Sequence, residues 1–212
     1  MARIKKVALN IDASIAWAAA VAAQRINGGY LKFIEPSKND ETNRQIMERL
    51  IASPEQLTDE DKEVGEEIRS YFKGLMFQII SGKKLNDFLN TALTIANRDV
   101  IDDKFDIAVI ASLPQSYEKA KAMDNAMSKI RFASGGYAGA VGEKITCNVE
   151  ILKVIFSQRW NSFVVNAIND QEQALFFFTG KGQFSVGQKM KIQGKVKSHR
   201  DNQTQLNYVK VV

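Results

Sequence analysis

The chain has 212 residues, is 45% hydrophobic and 25% charged, and carries a net charge of +5, a balance that excludes wholesale disorder and collagen-like repeats. Its one cysteine (Cys147) and one histidine (His199) exclude an internal disulfide and leave no ligand set for structural zinc. Most histidine-dependent catalysis is excluded with them, so the expectation is a non-catalytic protein without a cofactor or metal.

No stretch of the sequence reaches the roughly 20 apolar residues that span a bilayer. Ala13 to Ala23, behind Arg3, Lys5 and Lys6, superficially resembles a signal peptide, but Gln24-Arg25 follows in place of a small-residue cleavage site. A soluble cytoplasmic protein without membrane contact is the expectation.

In chain order, Ile4 to Ile11 alternates weakly and reads as either a strand or an arm. Ser14 to Ile26 is rich in helix formers and stops at Asn27-Gly28-Gly29. Lys38 to Ala52 places Ile46, Met47, Leu50 and Ile51 on one helical side. Thr58-Asp59-Glu60-Asp61 reads as a capping-box start. The helix after it carries Val64, Ile68, Tyr71, Phe72, Leu75, Met76 and Ile79 at buried-stripe spacing and ends near Ser81-Gly82. Glu55 to Arg69 holds seven acids against two bases, which suits a solvated helix face or the surface for a basic partner.

Leu85 to Ala96 forms the next helical face. Asp99, Asp102, Asp103 and Asp106 raise a two-metal nuclease reading, but no motif supplies a second acidic group, and a helix-start cluster is preferred. Ile107 to Leu113 is an apolar run broken at Pro114, and Gln115 to Phe132 completes an α-helical domain over residues 1–133. Four glycines within residues 134–142 read as a linker.

From residue 143 the period changes to two. Ile145, Cys147, Val149 and Ile151 face inward, with Cys147 an inert core thiol. A bulge then accommodates the continuous apolar run Lys153 to Phe156. Further strands are expected at Trp160 to Ile168, Ala174 to Thr179, Lys189 to Lys197 and Gln205 to Val211, with polar or glycine-rich connections between them, including a loop over Ser198 to Thr204. Five short strands without a crossover helix point to a small closed barrel, making the fold class α+β.

The charge follows the same division. Residues 1–142 hold 19 basic and 19 acidic side chains, whereas residues 143–212 hold 10 and 5. The whole excess therefore belongs to the barrel, where it would attract polyanions.

The residues Val186-Gly187-Gln188-Lys189, Gly194 to Arg200 and Gln205 to Val212 resemble the OB-fold modules of bacteriophage replication and single-stranded-DNA-binding proteins. The resemblance covers residues 143–212 and implies a nucleic-acid-binding domain. It departs at the end, where Tyr208 to Val212 stands in place of the acidic tail through which such proteins recruit partners. The acidic face of the helical domain is then the candidate for recruitment or self-association.

A single strand needs cations along its backbone and flat rings for its bases. Strand alternation sets Lys189, Lys191, Lys195 and Lys197 opposite Met190, Ile192 and Val196. Arg159-Trp160 falls at the first hairpin tip, with Phe163 three residues on. His199 and Arg200 are expected in the last hairpin loop, with Tyr208 and Lys210 on the final strand and Lys153 and Lys181 completing the basic set. Of the run Phe176-Phe177-Phe178, Phe177 is expected to point outward and its neighbours inward. The reading is a single-stranded nucleic-acid binder, DNA ahead of RNA, serving phage-type replication or recombination in the host cytoplasm. The alternative is an adaptor whose barrel contacts a polymerase, nuclease or host defence protein.

Overall fold

The computed structural model describes residues 9–33 and 41–212; the start of the helix expected at Lys38 and most of the Ile4 to Ile11 segment lie outside them. In chain order the elements are β1 (Ile11–Asp12), α1 (Ala13–Asn27), α2 (Asn43–Ala52), α3 (Asp59–Ile80), α4 (Asp87–Ala96), β2 (Val100–Ile101), α5 (Lys104–Ile110), α6 (Leu113–Arg131), β3 (Lys144–Ser157), β4 (Ser162–Asn169), β5 (Ala174–Thr179), β6 (Lys189–Arg200) and β7 (Gln203–Val211). Two compact units divide the chain, Met1–Lys119 and Ala120–Val212.

The first unit is built around α1. Asp12 caps its start by accepting from the Ser14 backbone N–H, and Gly28 ends it in a left-handed conformation. Its alanines, together with Trp17, are almost wholly buried, so the stretch that looks like a targeting segment is the centre of a core. Small side chains let α3 approach closely: a Cβ on Gly65 would lie 2.8 Å from the Ala18 backbone nitrogen. Trp17 packs against Phe72 of α3, with ring centroids 6.1 Å apart.

The expected capping box at Thr58 and Asp61 is present. Asp61 also holds a bidentate pair with Arg25, at 3.1 and 2.8 Å. Burial would raise its carboxyl, but the Arg25 and Thr58 hydrogen bonds outweigh burial and leave the group below the ordinary carboxylate value. The later acids also have structural work. Asp103 caps α5, Asp99 pairs with Arg69 at 3.0 Å, and Arg98 engages Asp102 and the buried Asp106. Pro114 sits in the first turn of α6, where a missing N–H costs nothing, so it begins a helix as much as it ends a run.

The second unit is a closed barrel in the order β3-β4-β5-β7-β6, with β6 pairing back to β3. All neighbours are antiparallel except β5 and β7. This is an OB-like barrel on an α+β chain. Its core contains Val149, Ile151, Val165, Ala167, Leu175, Phe177, Ile192, Val196 and Leu206. The expected bulge in β3 falls between Ile151 and Lys153. It turns Leu152 onto the other face, into a second small core with Ala126, Ile130, Ala133 and Ala174. The last turns of α6 therefore cover one side of the barrel, and Lys129 adds an ion pair to Glu150 at 2.9 Å.

The glycine-rich segment 134–142 belongs to the barrel by its bonding rather than acting as a free spacer. Gly135 N–H donates to Glu172 O, Ala138 N–H to Thr204 Oγ1, and Gln173 Nε2 to the Gly135 and Tyr137 carbonyls. A Cβ at Gly135 would lie 1.9 Å from Gln171 O, so glycine there permits contact between two backbones. Among the described residues, no helix is long and apolar enough to cross a membrane.

Candidate functional site

Strand register sorts the barrel's outward side chains into rows. One row runs Ile155–Val164–Phe178 across β3, β4 and β5. The next runs Lys153–Asn166–Phe176–Gln205–Ser198, and a third runs Glu150–Ile168–Ala174–Gln203–Arg200. Phe176 and Phe178, two residues apart on β5, share the outer face with centroids 6.3 Å apart. Trp160 stands edge-on to Phe178 at 5.5 Å. It is carried by the Gln158–Trp160 turn, which Asn161 closes in a left-handed conformation. Arg159 lies over the Trp160 ring at 5.3 Å.

Two neighbouring depressions follow this aromatic rail. One, of about 460 Å³, is lined by Trp160, Ser162, Phe178, Lys197, Gln205 and Asn207. The other, of about 280 Å³, is lined by Asn166, Phe176, Arg200, Asp201 and Gln203. Together they lie along β4, β5 and β7, with the first hairpin tip at one end and the Asp201–Asn202 turn at the other. This is the surface, and these are the two loops, through which OB barrels hold oligonucleotides.

Several sequence expectations are corrected here. Phe177 is fully buried and Phe178 is 40% exposed, the reverse of the expected phase. Pairing sets it: Phe177 lies opposite buried Val165 and Leu175 opposite buried Ala167, while Phe184 covers Phe177 at 5.2 Å. Three consecutive identical rings carry no phase of their own. Phe163 also turns inward, packing on the core and edge-on to Phe156 at 5.1 Å. It is not in the groove lining.

His199 lies within β6, opposite Thr204, instead of in a loop. Its Nδ1 is 3.2 Å from Thr204 Oγ1, and its ring stacks on Tyr137 at 4.5 Å. The expected seven-residue loop is only Asp201–Asn202, both at positive φ, a turn suited to strand twist.

The lysines of β6 all face outward as expected, yet they serve different places. Lys197 lines the aromatic depression, and Lys195 lies opposite Asn207. Lys189 and Lys191 line a separate depression of about 450 Å³ that also contains Glu150 and Asp170. Lys153 directs its Nζ to 3.7 Å from Met127 Sδ. Lys181 is exposed on the β5–β6 connection, and Lys210 is exposed opposite Gln193.

Tyr208 is 82% exposed for a local reason. It takes a left-handed φ of 55°, which breaks the alternation of β7 so that Val209, not Tyr208, packs on the core. Cys147 faces the core, and burial, followed by Asp170, pushes its thiol up from the ordinary value.

Sequence reasoning missed Phe176 and Phe178 as outward rings, and with them Asn166, Gln203, Gln205 and Asn207. The even spacing of Gln203, Gln205 and Asn207 was the signal that one face of β7 is polar throughout. The chain matches no protein-family model, no curated protein and no solved structure; the barrel's own geometry therefore carries the functional argument.

Proposed function

We propose that this chain is a non-catalytic binding protein for single-stranded nucleic acid, DNA ahead of RNA. The observation that carries the reading is the aromatic rail Trp160–Phe178–Phe176, laid along the β4–β5 face of an OB-like barrel and bordered by Arg159, Lys197 and Arg200. Rings exposed on a basic barrel face match the two needs of an unpaired strand, base stacking and phosphate neutralisation. Tyr208, next in sequence to groove-lining Asn207, adds a further exposed ring.

The setting in phage-type replication or recombination follows from the OB-module resemblance. In the first unit, α3 exposes Met76, Phe77 and Ile80 on one side, which suits the proposed role of that unit in recruitment or self-association. The second reading, a protein adaptor, is favoured by the apolar row Ile155–Val164 continuing from Phe178.

Fluorescence anisotropy with single- and double-stranded oligonucleotides separates the two readings. The wild-type chain is expected to prefer single strands. Trp160→Ala should cost about 1 to 3 kcal/mol of binding, and Lys195→Ala/Lys197→Ala should weaken it further. Absence of binding to DNA or RNA of either form would leave the adaptor.

A further inference from the structure

The outer side of α3 is built in two halves that fit each other. Alternating steps of three and four residues carry Glu63, Glu66, Ser70, Lys73, Phe77 and Ile80 along one side of the helix. None of the six is buried, and Phe77 and Ile80 are 75% and 74% exposed. The stripe is acidic at Glu63 and Glu66, small at Ser70 and apolar at Phe77 and Ile80. Lys83 and Lys84 follow the end of the helix.

Gly74 is the residue of this helix that one chain does not explain. It sits inside a 22-residue helix, where glycine is a weaker helix former than alanine. At Gly65 the same helix needs glycine, because a Cβ there would meet the backbone of α1. At Gly74 nothing lies within 4 Å of an added Cβ, so no neighbour in the fold calls for it. Together with Ser70 it keeps the surface low beside Phe77.

Two copies of α3 laid antiparallel bring these features together. Phe77 of one copy enters the hole framed by Ser70, Lys73, Gly74 and Phe77 of the other, the spacing of a knob-into-hole contact. The same register sets Ile80 over Ser70 and Gly74, and brings Lys83 and Lys84 alongside Glu63 and Glu66. Parallel copies would set acid against acid and lysine against lysine. Charge complementarity therefore exists in one direction only.

We infer that a second copy of this chain packs antiparallel on α3, with Phe77 and Ile80 entering at Ser70 and Gly74 and with Lys83 and Lys84 facing Glu63 and Glu66. This rests on the association role proposed for the first unit, names its occupant, and stands apart from strand binding by the barrel.

The test is sedimentation equilibrium of the full chain, with oligonucleotide anisotropy on the same samples. Wild type should pass from monomer to dimer over about 1 to 200 μM, because one helix pair makes a small interface. Phe77→Glu changes an exposed residue, so the chain should still fold, but its dimer dissociation constant should rise at least about tenfold. Gly74→Gln should weaken the dimer too while raising the thermal midpoint of the dilute chain, since glutamine is the better helix former and enters space that is empty in one chain. Glu63→Lys/Glu66→Lys should weaken the dimer about tenfold. Adding Lys83→Glu/Lys84→Glu to that same chain should restore it.

A wild type that stays monomeric to the top of that range overturns the inference. So does a dimer indifferent to Phe77→Glu or to Gly74→Gln, or a charge exchange that fails to restore association. None of these results touches the single-strand reading, which fails separately if the anisotropy shows no oligonucleotide bound.

Discussion

The two units treat their polar side chains in opposite ways. In the first, buried polar groups are mostly consumed by the fold. Arg69 donates to Ala96 O, Arg98 O and Asp99, while Asn43 bonds Gly29 O, Asn27 and the Leu31 N–H. Asp61 is held by Arg25 and Thr58. In the barrel the core is apolar, and its polar and ring-bearing residues stand outside. Lys195 and Lys197 have no ion pair among the described residues, and Trp160, Phe178 and Tyr208 are open to solvent. Paired charge in the one unit organises helices, whereas Lys195 and Lys197 of the other stand beside the rings where the proposed strand would need cations. The neutral balance of residues 1–142 and the excess in residues 143–212 are the sequence counterpart of this contrast.

The sharpest way to break the comparison lies within one strand. Phe177→Ala empties a buried site between Val165 and Phe184 and should cost about 3 to 5 kcal/mol of barrel stability. Phe178→Ala, one residue on, should cost under about 1 kcal/mol while weakening oligonucleotide binding by about 1 to 3 kcal/mol. Denaturant unfolding and anisotropy on both variants measure the two effects. Equal destabilisation would mean that Phe178 is a structural ring and that the rail has lost its outer member.

In the helical unit the corresponding test is Asp61→Asn. It removes a buried carboxylate from the Arg25 pair and the capping box and should cost about 2 kcal/mol. Its pH dependence has a defined sign. The folded-state value of Asp61 is lowered, so the stability it contributes is complete above the unfolded carboxylate value. That contribution is lost as pH falls through the folded one. Acid titration of unfolding should therefore separate wild type from Asp61→Asn at neutral pH and bring them together in acid. Oligonucleotide affinity, belonging to the other unit, should not change.

Much of this organisation is visible in the sequence because local physics and final structure agree. Alternation in Ile145 to Ile151 and Lys189 to Val196 survives, since one side of each strand has a core to face. The continuous run after Ile151 signalled a bulge because period two cannot hold across it. The Thr58 capping box and the Asn27-Gly28 stop are complete within a few residues. What was hidden depends on partners distant in sequence. The phase of Phe176 to Phe178 is set by β4, and the reach of β6 and β7 by their mutual pairing up to Arg200 and Gln203. The last turns of α6 show an apolar side in Ala126 and Ile130, but nothing local says that it covers Leu152 and Ala174. The groove was half legible for the same reason: Trp160 and Lys197 announce themselves by type, whereas amides become a lining only once β7 is placed beside β5.

The smallest effect tests how finely the barrel's own charge is divided. Arg159, Lys197 and Arg200 border the rail, so binding should lose affinity with salt at a slope near that of about three phosphate contacts, roughly −2 on a log–log plot. Lys197→Ala should reduce the slope by about 0.7, the single-strand contribution of one contact. Lys189→Ala should leave it unchanged, because Lys189 shares its depression with Glu150 and Asp170, whose charges already oppose a polyanion there. Equal slopes for the two variants would mean that the strand follows β6 along its whole length, over mixed charge as readily as over rings. Different slopes would confine it to the β4–β5–β7 face, where cations and aromatic surface coincide.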